Sequence, residues 1–279
     1  GWALSTPRIE LDTSQGLLAG MPASPTEPRK NPEIFYRSSL SGSRLVRIPE
    51  PTAEDAEAYR AELDTTYARY ERVKEPDGRT RLWRMRTTDG RTWYFGDGLN
   101  ANEFGSATVA GRSFLSRVVD KFGNSIEYTY STVFAQGPVR SSFPTRYGGR
   151  ADTYIQKIEW GRNDHAGLSH HARAQFDYTE ATVGVGGGLC PDSNVPIGAN
   201  FTYRLGYPLY EGAMRLDRIR LEVSEGADKW REVRRYELRY DRTELSCPTE
   251  RNHAPLRLLI SVREIATHPI LKPEATLPY

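Results

Sequence analysis

The stretch from Thr66 to Gly96 reads TYARYERVKEPDGRTRLWRMRTTDGRTWYFG. Two Asp-Gly pairs, Asp77-Gly78 and Asp89-Gly90, interrupt segments rich in Tyr, Val, Trp and Thr. Both central positions of a tight hairpin turn need positive φ, which Asp and Gly tolerate, so Asp-Gly between β-favouring runs is a strong hairpin signal. Leu82, Arg84 and Arg86 alternate with Trp83, Met85 and Thr87. Side chains in a strand point to opposite faces in turn, so one face of this segment is expected to pack while the other stays wet. The stretch predicts a three-stranded antiparallel meander.

The same grammar continues outward. Phe114 to Tyr130 reads FLSRVVDKFGNSIEYTY, two short strands flanking Asp120-Lys121-Phe122-Gly123-Asn124. Asp opens such a turn, and Gly123-Asn124 suit its left-handed positions. Ile126, Tyr128 and Tyr130 fall on one face of the exiting strand. Weaker copies pair Tyr154–Trp160 with Ala172–Tyr178, and Leu216–Val223 with Val233–Tyr240, and a half-copy covers Leu256–Val262. Their starts are about 40–60 residues apart, an imperfect hairpin repeat.

One place reads as a helix. Thr52 is placed to cap Ala53–Leu63, which is rich in Ala and Glu and carries acids in its first turn, so a single short helix over 53–63 is expected. Met21–Pro32, with four Pro, and Val183–Asn200, around Gly186-Gly187-Gly188, read as long loops. The expected fold is all-β and mainly antiparallel: a curved sheet of successive hairpins. It is expected to form one β-rich domain over 1–279, with a meander part over 1–150 and a hairpin-repeat part over 151–279.

Composition narrows the function classes. The 279 residues are 38% hydrophobic, 27% charged and 11% aromatic. Gly and Pro make up about 15%, well below the roughly 25–30% of low-complexity chains. No apolar run reaches the roughly 18 residues of a membrane span. The first residues, Gly1 to Ser5, lack a Met and a signal peptide's basic and apolar regions, so the chain is expected to be a piece of a longer one. The net charge is +2, with both signs interspersed, which is not a nucleic-acid footprint. Arg outnumbers Lys 32 to 6. That bias suits either carboxylate recognition by planar forks or Arg lying flat against aromatic rings.

Signals for chemistry are sparse. Cys190 and Cys247 are each followed by Pro; as a disulfide they would close a loop of about 57 residues, and otherwise they are two free thiols. Neither belongs to a CxxC pair. Asp164, His165, His170 and His171 lie together in a predicted turn. They read either as metal ligands or as a solvated turn, without the helical spacing that would fix ligand geometry. Gly186-Gly187-Gly188 is followed by Cys190-Pro191 rather than by a Lys-Ser/Thr pair opening a helix, so it is not a phosphate loop. There is no Gly-x-Ser-x-Gly elbow. No catalytic, cofactor-binding or metal residue is therefore assigned, and no cofactor is expected. Two other classes stay open on the residues alone: a carbohydrate-binding or adhesion module using the Trp and Tyr side chains as a sugar platform, and a β-rich glycoside hydrolase.

Several motifs together carry a resemblance. Gly1-Trp2-Ala3-Leu4-Ser5 resembles the GWxLS start of Rhs/YD-repeat and toxin-complex proteins. The meander from Tyr70 through Gly96 looks like their W-x-V-x-x-x-D-G-x-x-x-x-Y-G pattern. Asp120–Tyr130 resembles D-x-x-G-N-x-I-x-Y-x-Y, Tyr154–Gly161 resembles Y-L-x-x-I-x-Y-G, and Arg235–Tyr240 resembles R-x-Y-x-L-x-Y. In this order they are similar to the N-terminal domain shared by plasmid virulence protein B and the B component of insecticidal toxin complexes, over roughly residues 1–265. Met21–Pro32 and the segment around Cys190 depart from it. The resemblance implies a secreted, non-enzymatic part of a bacterial toxin, contributing to a β-shell around a C-terminal toxic cargo. Its implied partners are the remainder of the same polypeptide and a translocating toxin subunit. In the virulence protein, ADP-ribosyltransferase activity belongs to a separate domain; its Glu-x-Glu signature has no counterpart here.

Overall fold

A computed structural model of the chain describes residues 6–12, 35–49, 56–76, 80–98, 101–104, 110–134, 150–180, 200–202, 209–211, 214–226, 228–240, 259–267 and 275–276. The chain forms two compact units, one built on Ser5–Lys121 and the other on Phe122–Thr202 and Leu209–Tyr279.

The first unit contains β1 (Arg8–Leu11), β2 (Tyr36–Ser38), β3 (Arg44–Ile48), β4 (Ala56–Ala61), β5 (Arg69–Lys74), β6 (Thr80–Arg86), β7 (Thr92–Phe95), β8 (Asn102–Phe104) and β9 (Ala110–Val119). Strands β1 to β7 pair in sequence order, β7 pairs β9, and β9 returns to β1, closing an eight-stranded antiparallel ring; β8 adds a short pairing to β9. An eight-stranded barrel is just wide enough for side chains to fill. Here Ile9, Leu11, Tyr36, Leu45, Tyr59, Tyr70, Trp83, Met85, Phe95 and Leu115 are buried. The ring of Trp83 sits 4.8 Å from Tyr36 and 5.1 Å from Tyr59, within the spacing at which tilted and edge-on aromatic pairs attract.

The predicted meander is β5–β6–β7, and Trp83 and Met85 are its packed face. In the β6–β7 turn Gly90 takes φ 84°, and Asp89 accepts hydrogen bonds from the Thr87 hydroxyl and the Arg91 N–H. Asp77 and Gly78 lie outside the described residues. The expected helix over 53–63 is corrected: Ala56–Ala61 is strand β4, paired to β3 on one edge and β5 on the other. A three-turn Ala/Glu helix is marginal without tertiary support. As a strand, the same residues bury Tyr59 and Ala61 inside the ring and have paired neighbours on both edges. The proposed cap, Thr52, is outside the described residues.

The second unit holds β10 (Asn124–Phe134), β11 (Arg150–Asn163), β12 (Ala172–Glu180), β13 (Asn200–Thr202), β14 (Leu209–Glu211), β15 (Met214–Gly226), β16 (Lys229–Tyr240), β17 (Leu259–Ala266) and β18 (Ala275–Thr276). Its main sheet is antiparallel in the order β10-β11-β12-β15-β16-β17-β18, and β13 and β14 form a separate pair. The hairpin copies read from the sequence are β11–β12 and β15–β16, and the half-copy falls on β17. In the turn before β10, Gly123 takes φ 84° while Asn124 is not left-handed. Asn124 opens β10 instead, its side-chain oxygen accepting from Asn163 Nδ2 at 2.8 Å. The long loops Met21–Pro32 and 183–199 lie outside the described residues.

Candidate functional surface

The register of the second unit sorts its side chains onto two faces of different chemistry. Ile126 opposes Trp160, and Tyr128 opposes Ile158. Ile158 and Trp160 oppose Ala174 and Ala172, which continue to Leu221 and Val223, with Phe176 beside Ile219. Ile219 then meets Tyr236, and Leu238 meets Val262. This face is apolar and aromatic across β10, β11, β12 and β15 and at Tyr236, Leu238 and Val262, and it is broken at β16–β17 by Arg234 and Glu264, which pair at 2.9 Å. Phe176, Ala172, Ala174 and Leu238 are buried, whereas Ile158, Trp160, Ile219, Leu221, Val223 and Tyr236 remain half-buried, and Val262 is exposed.

The opposite face is an ion-pair lattice. Arg162 donates to Glu127 at 3.1 Å, Lys157 meets Glu159 at 2.9 Å, and Arg173 meets Glu222 at 2.5 Å. Arg220 bridges Asp177 at 2.8 Å and Glu222 at 2.9 Å, and Arg235 lies 3.3 Å from both Glu232 and Glu237. The Arg173 guanidinium also stacks over the Trp230 ring at 4.2 Å. The Arg bias therefore serves both readings at once: planar forks on carboxylates and flat packing on rings. Unsupported surface pairs contribute little, but here Glu222 is shared by Arg173 and Arg220, and Arg220 and Arg235 each bridge two carboxylates, so fixing one of these side chains partly fixes the next.

The barrel carries its own polar cluster at the inner side of β3, β4 and β5. Glu57 accepts from Arg72 at 3.2 Å, Lys74 at 3.4 Å and the Tyr59 hydroxyl at 3.1 Å, and Arg47 approaches to 3.4 Å. Arg72 also donates to the Thr80 hydroxyl at 2.7 Å and covers the Tyr36 ring at 5.4 Å. Burial opposes the Glu57 charge, but Arg72, Lys74 and Arg47 outweigh it and hold the carboxyl below the usual glutamate range. Burial pushes the Tyr59 hydroxyl up, reinforced by the Glu57 charge and by Tyr36; burial also raises Tyr36. These shifts move both groups away from neutral pH, the reverse of the tuning an acid or base catalyst needs. The cluster keeps the Glu57 carboxylate ionised and the Tyr59 hydroxyl neutral and bonded to it. Sequence reading missed it because Glu57 had been placed on a helix; the alternation of Glu57, Tyr59 and Ala61 was the available signal.

The histidines of the β11–β12 turn are separated by their partners. The His165 ring lies over Gly123, leaving only 2.9 Å to where a Cβ would stand. His171 Nδ1 sits 3.1 Å from the Gly161 carbonyl oxygen, and His170 Nε2 is 3.9 Å from Glu127. Among the described residues no three His, Cys, Asp or Glu side chains gather as metal ligands would. Cys190, Cys247, His253, His268 and Gly186-Gly187-Gly188 lie outside the described residues. Among the described residues no helix is long and apolar enough to cross a membrane.

A filled eight-stranded antiparallel barrel together with a long-stranded hairpin sheet defines the class: an all-β, antiparallel module. The chain has the SpvB-like fold. It is similar over 96% of its length to the structure of the N-terminal domain of effector protein SpvB from Salmonella typhimurium strain LT2, covering 89% of that chain, with a TM-score of 0.66 and 16% identity. It is similar over its full length to TcdB2-TccC3-Cdc42 (TM-score 0.70, 17% identity). The Photorhabdus luminescens Tc holotoxin pore matches over 98% of it (TM-score 0.67, 17% identity). The chain spans about 14% of the length of the TcdB2-TccC3-Cdc42 chain. No family model and no curated protein matches it.

Proposed function

We propose that this chain is a non-enzymatic structural domain of a secreted bacterial toxin or Rhs-type protein, one segment of a β-shell that encloses or presents a C-terminal toxic cargo. The observation that carries this reading is the full-length similarity to a segment making up 14% of a TcdB2-TccC3-Cdc42 chain. The two-faced sheet supports it, because a wall needs one face compatible with solvent and another that tolerates apolar chain. On this reading the barrel and the hairpin sheet act as parts of one module. Its partners are the remainder of the toxin polypeptide and a translocating subunit, and any ADP-ribosyltransferase or other toxic activity resides in a separate domain. The Cys190–Cys247 disulfide remains a proposal from sequence; intact mass before and after reduction reads it directly.

Hydroxyl-radical footprinting tests the shell reading. In the full-length toxin polypeptide, Trp160, Leu221 and Tyr236 should be modified less than in the isolated chain, while Trp230 on the opposite face should be unchanged. Equal reactivity of the apolar face in both contexts would overturn it. A saturable Trp fluorescence quench by glycans would favour the adhesion reading instead.

A further inference from the structure

One stretch of the barrel's outer wall carries an excess of positive charge. Register places Glu71 of β5, Arg84 of β6, Tyr94 of β7 and Arg117 of β9 in one row across four neighbouring strands. A second row runs through Arg69, Arg86, Thr92 and Val119. Both rows face away from the core, because side chains alternate along a strand and the intervening Tyr70, Trp83, Met85 and Phe95 are buried. Glu71 is the one acid in the two rows, against four arginines.

Three of the arginines share that carboxylate. Arg84 Nε donates to it at 2.7 Å, Arg86 Nη1 donates at 3.0 Å, and Arg69 Nε approaches to 3.7 Å. The Glu71 side chain is 7% exposed, whereas those of Arg84 and Arg86 are 30% and 49% exposed, so the surface that meets solvent is cationic. The Arg117 guanidinium lies over the Tyr94 ring at 4.5 Å, and its Nε is buried with no hydrogen-bond partner. A buried donor in this state calls for an acceptor from elsewhere. Along the strands the next outward pair is Val73 and Leu82, both half-buried, which sets an apolar step beside the arginines.

We propose that this outer wall is a docking surface for an acidic, extended segment of another protein, with Arg84, Arg86 and Arg117 binding its carboxylates. Planar arginine forks match carboxylates in bidentate geometry. An extended segment shows every second side chain on one face, about 7 Å apart. Arg84 and Arg117 stand on strands separated by β7, with about 10 Å between their Cα atoms, a gap that long Glu and Arg side chains close from both ends. The Val73–Leu82 step suits an apolar residue flanking the acids. Nucleic acid and anionic bilayers ask for a long basic stripe or a polybasic cluster. Here Glu71 lies among the cations and the net charge of the chain is only +2, which suits singly charged carboxylates. This docking does not depend on whether the hairpin sheet forms a shell wall.

The test uses the full chain and a short labelled peptide alternating Glu with Val. At low salt, where such contacts are least screened, the peptide should bind saturably, and its Gln-for-Glu counterpart at least tenfold more weakly. The double substitution Arg86→Gln, Arg117→Gln leaves Arg84 and Arg69 on Glu71 and should lower affinity for the Glu peptide at least tenfold. Arg231→Gln with Arg239→Gln removes the same charge from exposed positions of β16 and should leave affinity unchanged. Phenylglyoxal labelling of the unaltered chain, read by mass spectrometry, needs no variant to fold: the Glu peptide should protect Arg86 and Arg117 but not Arg231. No saturable binding, an equal loss in the β16 variant, or no protection of Arg86 and Arg117 would overturn the proposal. So would tighter binding of phosphatidylserine vesicles or of a heparin oligosaccharide than of the Glu peptide, because the occupant would then be a lipid surface or a sulfated glycan.

Discussion

Glu57 is a side chain whose protonation the barrel controls through Arg72, Lys74 and Arg47. Its folded carboxyl is held below the ordinary glutamate value of 4.5, so it stabilises the fold above that pH and loses the contribution as pH falls through the depressed value. Replacing it by Gln keeps the shape but leaves Arg72 and Lys74 facing a neutral amide. Glu57→Gln should cost about 1–3 kcal/mol at pH 7. The gap between the two proteins should narrow below pH 4.5, as thermal melts across pH 3–7 would show. Tyr59 works at the other limit. Its pKa is raised above 10.0, so its contribution is full below that pH and is lost as pH climbs toward the raised folded value. Tyr59→Phe should therefore flatten the alkaline fall in melting temperature between pH 10 and 11. Trp83 and Met85 were legible from alternation alone, because burial of one strand face leaves a period of two. Glu57 was not, because Ala, Glu and Arg around it are good helix formers, and only the neighbouring strands decide otherwise.

Turns and strands tell a similar story about what local sequence encodes. Gly123 and Gly226 both take a left-handed φ, 84° and 89°, yet they differ in surroundings. A Cβ at Gly226 meets nothing within 4 Å, whereas one at Gly123 would come 2.9 Å from the His165 ring. Gly226→Ala should thus report the backbone cost alone, about 1–2 kcal/mol. Gly123→Ala should exceed it, by an amount that truncating His165 to Ala relieves; urea titration of the unaltered chain, the two single variants and the double variant closes that cycle. Hairpins were readable because their turn residues carry the needed conformation within a few positions. The short strands β1, β2 and β3 were not, since Arg8–Leu11 has too few residues to show a period. The pairing that closes the ring depends on β9, far along the chain. The His turn was found in sequence, but its contacts with Gly123 and Gly161 arise from the packing of separate turns and bulges.

At the scale of the whole molecule, the two-faced sheet has a consequence that no single strand shows. The sequence displayed apolar and charged residues alternating in each hairpin, but only the register aligns them into one face that is apolar from β10 to β15 and broken by the Arg234–Glu264 pair at β16–β17, and one face rich in ion pairs. Ile158, Ile219, Leu221, Val223 and Tyr236 remain half-buried there, and Ile260 and Val262 on β17 are 65% and 41% exposed. Contiguous exposed apolar surface of this kind marks a site built to be covered. The isolated chain should accordingly bind the dye ANS while fully folded, with native near-ultraviolet dichroism retained, unlike a molten state. Leu221→Glu together with Val262→Glu should reduce the dye signal several-fold and suppress self-association, at a cost of roughly 1–3 kcal/mol because both positions are only partly buried. Charge reversal on the ionic face, Arg220→Glu, should leave the dye signal unchanged while lowering stability through repulsion with Asp177 and Glu222, the two carboxylates it now bridges. If instead dye binding persists in the Leu221/Val262 variant and falls in the Arg220 variant, the face that seeks a partner is the ionic one, and the division of labour between the faces is the reverse of the one argued here.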